Sequence, residues 1–408
     1  MILYHKIKKK INKKFWDYFD YLYYFYVIYR SIIIRKKGKI KVLFVLSELG
    51  AWKTEMLYVA MKSHPRFEPI IGVTNNPIVE NTEKELIEYL ESKKYDYVDL
   101  NNDGSDIDSI KPDISFYYKP YDVWFPRKHI YKKHLHSLPC FISYGFITLW
   151  KKDRISFQIC NYSWFVFVEN ELVAQCQRKV TNKWRARNVI NTGVPMQDSL
   201  GLSRHHYNNP WHYNDGRKKI IYAPHHSIKG TNGIGVEYST FLDFGEFMLE
   251  LAQKYKDKAV FAFKPHPTLY SKLIPIWGKE KTDLYYSAWG NMENTQFENG
   301  EYTGLFAHSD AMIHDCGSFQ IEYLFTKNPV LFLDTASYKP NDQNEFGKMA
   351  NEMHYRAKSK EDIETFLINV LSGIDPMKDL RNAFYKDYLL PPNGRTACEN
   401  IISTILGE

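Results

Sequence analysis

Three short segments in the second half of the chain concentrate residues able to handle phosphate. They are Tyr222-Ala-Pro-His225-His226-Ser227, Lys264-Pro265-His266-Pro267, and His314-Asp315-Cys316-Gly317-Ser318-Phe319-Gln320-Ile321-Glu322-Tyr323. In the second, two prolines forbid regular strand or helix and hold His266 on a stiff, extended backbone. Lys264 and His266 are two positions apart and so face one side. A lysine and an imidazolium suit a diphosphate; the competing reading is a structural histidine buried in a turn. His225 and His226 follow a strand and a proline, and either could bind phosphate or move a proton at the reacting groups. Adjacent histidines on extended backbone point to opposite sides, so they are not expected to share a metal. No metal and no other cofactor is expected.

The third segment reads as a strand, a Gly317-Ser318 turn and a helix. Such a helix start offers free backbone N–H groups and a positive dipole end to a phosphate, with the Ser318 hydroxyl alongside. Glu322 lies four residues on, on the same helix face as Ser318, and a carboxylate there could hold ribose hydroxyls. The bland alternative is an ordinary helix cap with Glu322 in solvent. Lys264, Asp315, Gly317, Ser318 and Glu322 therefore form the expected donor-binding set, and His225, His226 and His266 the expected catalytic set. In the first half, Ser143-Tyr144-Gly145-Phe146 ends a strand, and Gly145 permits close approach of a ligand. Tyr144 and Gly145 are the expected acceptor-side residues; His134 and His136 before them read as loop residues without a role.

These residues need strand ends to position them. Lys41–Ser47 is a continuous apolar run of the kind that forms a buried parallel strand. Helix near 52–63, strand near 69–73, helix near 82–93 and strands near 114–118, 140–144 and 164–168 follow, with another strand in Val189–Pro195. A second series holds strands at 219–223, 259–263, 311–314 and 329–333, helices at 239–255 and 318–326, and a last helix at 397–406. This alternation indicates α/β architecture with two doubly wound, Rossmann-like domains. Their expected extents are 40–205 for an acceptor domain and 217–385 for a nucleotide-donor domain. An N-terminal arm, 1–39, and a C-terminal helical segment, 386–408, flank them, and the polar stretch 201–217 is the expected linker. Ligands of open α/β sheets bind beyond the strand C-termini, which for two such domains face a cleft.

The net charge of +7 belongs to one end of the chain. Residues 1–41 carry 12 Lys and Arg against 2 Asp, whereas the remainder carries 42 against 45 acidic residues. A mildly acidic body argues against nucleic-acid binding. The basic arm, with its aromatic run from Phe15 to Ile34, suits the interface of an anionic membrane, here the inner face of a cell membrane. Asp17, Asp20 and Arg30 make it a poor membrane span. A helix packed on the body is the alternative. Five scattered cysteines without a CxxC pair read as reduced thiols.

Taken in order, Tyr-Ala-Pro, Lys-Pro-His-Pro and strand-Asp-x-Gly-Ser-x-x-x-Glu-Tyr resemble the CDP-glycerol glycerophosphotransferase family, which builds teichoic acids and related surface polymers. Asn191-Thr-Gly-Val-Pro-Met-Gln-Asp198 is similar to that family's Gly-x-Pro-x-x-Asp turn. The resemblance implies a GT-B fold, peripheral attachment to the cytoplasmic face of the membrane, and a CDP-activated donor such as CDP-glycerol. It also implies that His266 contacts the donor phosphates and that Ser318 sits at the pyrophosphate. The expected activity is transfer of a glycerol-phosphate-like group to a hydroxyl of a polymer or lipid-linked acceptor, in teichoic-acid or capsular polysaccharide synthesis. The chain departs from the family where a Trp-His-Gly-Thr segment supplies a histidine base: Ser143-Tyr144-Gly145-Phe146 stands there. With that histidine missing, the base would come from His134, His136, His225 or His226, or the chain is a GT-B glycosyltransferase using a nucleotide sugar; a polymer-binding protein without activity is a third alternative, against which His266, Ser318 and Glu322 argue.

Overall fold

The computed structural model describes residues 2–102, 104–148, 158–181, 185–228, 237–334 and 343–408, and of residues 2–17 and 19 the backbone alone. The chain forms two compact units: Met1–Ser199 together with Pro391–Glu408, and Leu200–Leu390. The polar stretch expected to be a linker lies inside the second unit, where Trp211 is buried and donates from Nε1 to the Leu305 carbonyl.

The first unit is built on seven parallel strands: β1 (Ile40–Leu46), β2 (Phe67–Val73), β3 (Tyr97–Asp99), β4 (Ile114–Tyr117), β5 (Leu138–Ile142), β6 (Phe165–Val168) and β7 (Val189–Asn191). Their order is β3-β2-β1-β4-β5-β6-β7. The second unit has six: β8 (Lys218–Ala223), β9 (Ala259–Phe263), β10 (Thr295–Phe297), β11 (Ala311–His314), β12 (Val330–Leu333) and β13 (Tyr355–Ala357), ordered β10-β9-β8-β11-β12-β13. Nearly every residue of β1, β4, β9 and β11 is buried, as helices on both faces of a parallel sheet require. In each sheet the strand order reverses once, between β1 and β4 and between β8 and β11, the place where a doubly wound sheet opens a crevice. β3, β10 and β13 were not expected. Each has three residues, too few for a distinct apolar run.

The helix Phe241–Lys254 buries Phe241, Phe244, Met248, Leu251 and Ala252 at helical spacing against the second core. Ser239 Oγ accepts from the Phe241 N–H at 3.3 Å. The helix begins after Thr240, whose N–H and hydroxyl are both drawn to Asp315.

The C-terminal helix Ala397–Leu406 starts at a reciprocal Thr396–Glu399 capping box and docks on the first unit. Asp198 accepts from the N–H groups of Ala397 at 2.7 Å and Cys398 at 2.8 Å. Gly193 holds φ at +75°, and a Cβ there would lie 2.9 Å from Pro391, so the Gly-Val-Pro turn is closed to larger residues.

The N-terminal helix Ile2–Lys36 is packed over its second half. Tyr23, Val27 and Ile34 are buried, Tyr23 Oη donates to the Tyr162 carbonyl at 3.0 Å, and Arg35 donates to the carbonyls of Thr404 and Ile405. The opposite stripe, Tyr18, Leu22, Phe25, Tyr29 and Ile32, stays exposed. Among the described residues no helix is long and apolar enough to cross a membrane. The basic run Lys6–Lys14 lies outside the residues whose side chains are described.

Candidate functional site

The register of β8 on β9 continues past the strand ends. Lys264 N–H donates to the Tyr222 carbonyl at 2.8 Å, and His266 N–H to the Pro224 carbonyl at 3.0 Å. Two loops that are 40 residues apart in sequence are thereby zipped together. The rings of His225, His226 and His266 converge, with centroids 4.4 Å apart for His225–His226, 4.1 Å for His226–His266 and 5.4 Å for His225–His266. The divergence expected of adjacent histidines does not occur. After Pro224 the chain leaves the extended conformation, and Ser227 N–H turns back onto the His225 ring.

These turns set the protonation of the rings. His225 Nδ1 accepts from Ser227 N–H at 3.2 Å and contacts Ser227 Oγ at 2.7 Å. His266 Nδ1 accepts from Thr268 N–H at 3.2 Å and contacts Thr268 Oγ1 at 3.0 Å. A backbone N–H can only donate, so Nδ1 is the acceptor and the ring proton sits on Nε2 in both. Burial, then the neighbouring imidazoles, pushes His225 down to about 3. Burial, then His226 and Lys264, pushes His266 down to about 4, and burial followed by Lys272 lowers His226. At neutral pH the cluster is thus a set of uncharged N–H donors, suited to the oxygens of a phosphate rather than poised as imidazolium.

The three rings each offer a nitrogen within 4.8 Å of the others, and among the described residues they form the one cluster that could hold a metal ion. The expectation that these histidines cannot share a metal therefore fails on geometry. Chemically the fit is poorer: a ligating imidazole needs its lone pair where the metal sits, and the turns leave protons on the Nε2 atoms of His225 and His266.

The donor-binding set separates into groups. Lys264 is buried beside His266. Asp315 is wholly buried and spends both oxygens on His225 N–H, Thr240 N–H and Thr240 Oγ1, so it positions the histidine loop and does not face a ligand. Glu322 is neither solvated nor on an open face. It is buried with the Tyr302 phenol on Oε2. Ser318 is exposed, Gly317 is beside it, and Ser318 caps nothing. The helix after them is only Phe319–Glu322, continued by a 3-10 turn, so its dipole is small. The N–H groups of Ser318 and Phe319 point at the Cys316 sulfur. The helix start expected to hold a phosphate is thus short, with the Ser318 hydroxyl exposed beside it.

In the first unit Tyr144 is half-exposed just past β5, with Gly145 next to it in open space. His134 is tied to Asp108 and the Lys128 carbonyl, a structural role. Sequence reasoning passed over Glu48 and Lys119, which form an ion pair at the ends of β1 and β4. Their signal was a lone charge directly after each apolar run.

The family described as CDP-glycerol:poly(glycerophosphate) glycerophosphotransferase matches residues 151–407. Among solved structures, the chain is similar in fold to the wall teichoic acid polymerase TagF, with 15% identity, a TM-score of 0.56, and coverage of 91% of this chain and 89% of that one. A UDP-GlcNAc 2-epimerase from Neisseria meningitidis bound to UDP-GlcNAc is similar too, at 17% identity and a TM-score of 0.58, covering 90% of this chain and 100% of the other. No curated protein matches the chain.

Proposed function

This chain belongs to the CDP-glycerol:poly(glycerophosphate) glycerophosphotransferase family, and we propose that it transfers a glycerol-phosphate-like group from a CDP-activated donor to a hydroxyl of a surface or capsular polymer of the teichoic-acid type. The observation that carries this reading is the cluster of uncharged Nε2–H donors at the ends of β8 and β9. In such a transfer the acceptor hydroxyl attacks the β-phosphorus and gives its proton to a base, for which neutral His226 is the candidate, while the P–O bond to CMP breaks and CMP leaves with the electron pair. Charge spreads over the non-bridging oxygens, where preorganised donors are each worth about 10²–10³ in turnover. His225, His226 and His266 are the groups placed for that work, with Lys264 supplying positive charge behind them.

Membrane attachment belongs to the same reading. The exposed stripe Tyr18, Leu22, Phe25, Tyr29 and Ile32 on a helix that follows a basic run suits the cytoplasmic interface of an anionic bilayer. On this reading the enzyme attaches peripherally.

The test is thermal stabilisation by nucleotide donors, since a ligand that binds only the folded chain raises Tm by mass action. CDP-glycerol or CDP-ribitol should raise it and UDP-sugars should not, and CMP should appear on adding acceptor. A shift with a nucleotide sugar alone would replace this reading by glycosyl transfer. Tyr144, in the segment where the family carries its histidine, is the observation that keeps the second reading in view.

A further inference from the structure

Glu48 follows β1 and Lys119 lies just past β4, the two strands between which the first sheet reverses its order. A crevice for a ligand is expected there. Lys119 is 3% exposed, with Nζ 2.6 Å from Glu48 Oε2 and 3.9 Å from the centre of the Trp124 ring. Beyond this ion-pair contact with Glu48, no acceptor among the described residues meets the remaining N–H groups of the ammonium. Asn76 Nδ2 donates to the same Glu48 oxygen at 3.0 Å. Both contacts fall on Oε2, while the carboxylate keeps 24% of its side chain in solvent.

A buried ammonium whose other N–H groups are left unmet is costly, and a purely structural pair gains little over apolar residues of the same volume. A ligand that supplies the missing acceptor gives the pair a purpose. Tyr144 is 47% exposed, and its N–H donates at 3.2 Å to the carbonyl of Tyr118, the residue before Lys119. After burial, the Glu48 carboxylate is what pushes its phenol up.

We propose that Lys119, Glu48, Asn76 and Tyr144 form a binding site for neighbouring hydroxyls of a polyol, the acceptor end of the polymer. Lys119 donates to one hydroxyl oxygen and Glu48 Oε1 accepts from the next. Tyr144 lies along the carbon chain with its phenol free to bond. A ligand with both a donor and an acceptor on adjacent carbons satisfies the pair together, which a simple anion would not, because Glu48 repels it. Identifying this polyol as the acceptor rests on the transferase reading above; the site itself does not.

The probe is a synthetic glycerol phosphate trimer, titrated by calorimetry into the full chain, with CDP-glycerol stabilisation measured separately. Glu48→Gln keeps the shape and removes the charge, and should weaken trimer binding by about tenfold or more, the scale of a hydrogen bond to a charged group. Lys119→Met should do likewise, and Tyr144→Phe by about threefold. Stabilisation by CDP-glycerol should be unchanged in all three. In turnover the Glu48→Gln loss should fall on the acceptor KM. Trimer affinity within twofold of wild type in Glu48→Gln overturns the proposal, as does failure of wild type to bind trimer; an unchanged far-UV circular dichroism spectrum and unchanged CDP-glycerol stabilisation check that the variant is folded. Binding of trimer that depends on Glu48, with no response to CDP-glycerol, supports the site and overturns the donor reading instead.

Discussion

Asp315 Oδ1 accepts the backbone N–H of His225 at 2.5 Å, joining the end of β11 to the loop after β8. Its other oxygen holds Thr240 through two donors. One buried carboxylate therefore locks the histidine loop to the start of the helix Phe241–Lys254. Burial raises its pKa to about 6, with those hydrogen bonds opposing. Asp315→Ala strands two buried N–H groups and a hydroxyl, and should cost about 2–4 kcal/mol in denaturant unfolding. Loss of less than about 1 kcal/mol would mean that the loop does not depend on it.

His266→Ala should lower turnover by on the order of a hundredfold, the scale of losing one preorganised donor at a phosphate. Melting should change little, because the ring is only partly buried. A loss under about threefold would remove His266 from the chemistry.

Acid should destabilise the protein in a defined window. His225 and His266 titrate at about 3 and about 4 when folded, against an ordinary 6.5. Between those values the unfolded chain takes up protons that the folded chain refuses, so stability falls as pH drops from about 6.5 towards 4. Asp315 acts in the opposite sense: its folded pKa of about 6 against 3.8 means that stability is lost as pH rises through that interval. A double His225→Asn, His266→Asn variant should therefore show a flatter decline of Tm with acid. An unchanged profile would assign the acid sensitivity elsewhere.

The donor protons on Nε2 predict the response to metals. Turnover should survive exhaustive chelation, and added Zn²⁺ should inhibit by displacing those protons and occupying the rings of His225, His226 and His266. Activity abolished by chelation and restored by stoichiometric Zn²⁺ would show that the cluster is a metal centre.

Phe25→Asp with Tyr29→Asp places charge on the exposed stripe of the N-terminal helix and leaves its buried face intact. Partitioning to vesicles containing anionic lipid should fall severalfold with the melting temperature unchanged. Equal partitioning would sink the interfacial role of that stripe.

Much of this was local and so legible from residue order. Apolar runs such as Lys41–Ser47 and Ala259–Phe263 announce buried parallel strands, because burial on both faces leaves no room for alternation. The prolines around His266 mark a stiff loop at a strand end for equally local reasons. β3, β10, β13 and the split of the helix after Ser318 escaped because their signals are shorter than any period.

What the tertiary structure decided was which strand ends became neighbours. Pairing of β8 with β9 zipped the two histidine loops together and reversed the expectation that adjacent imidazoles diverge. Pairing of β8 with β11 turned Asp315 inward from ligand to brace. Pairing of β1 with β4 brought Glu48 against Lys119 across 70 residues of intervening chain. The return of Ala397–Leu406 to Asp198 in the first unit is of the same kind. Sequence patterns record which face of an element is apolar; strand order depends on packing energies summed over whole layers, which no short segment carries.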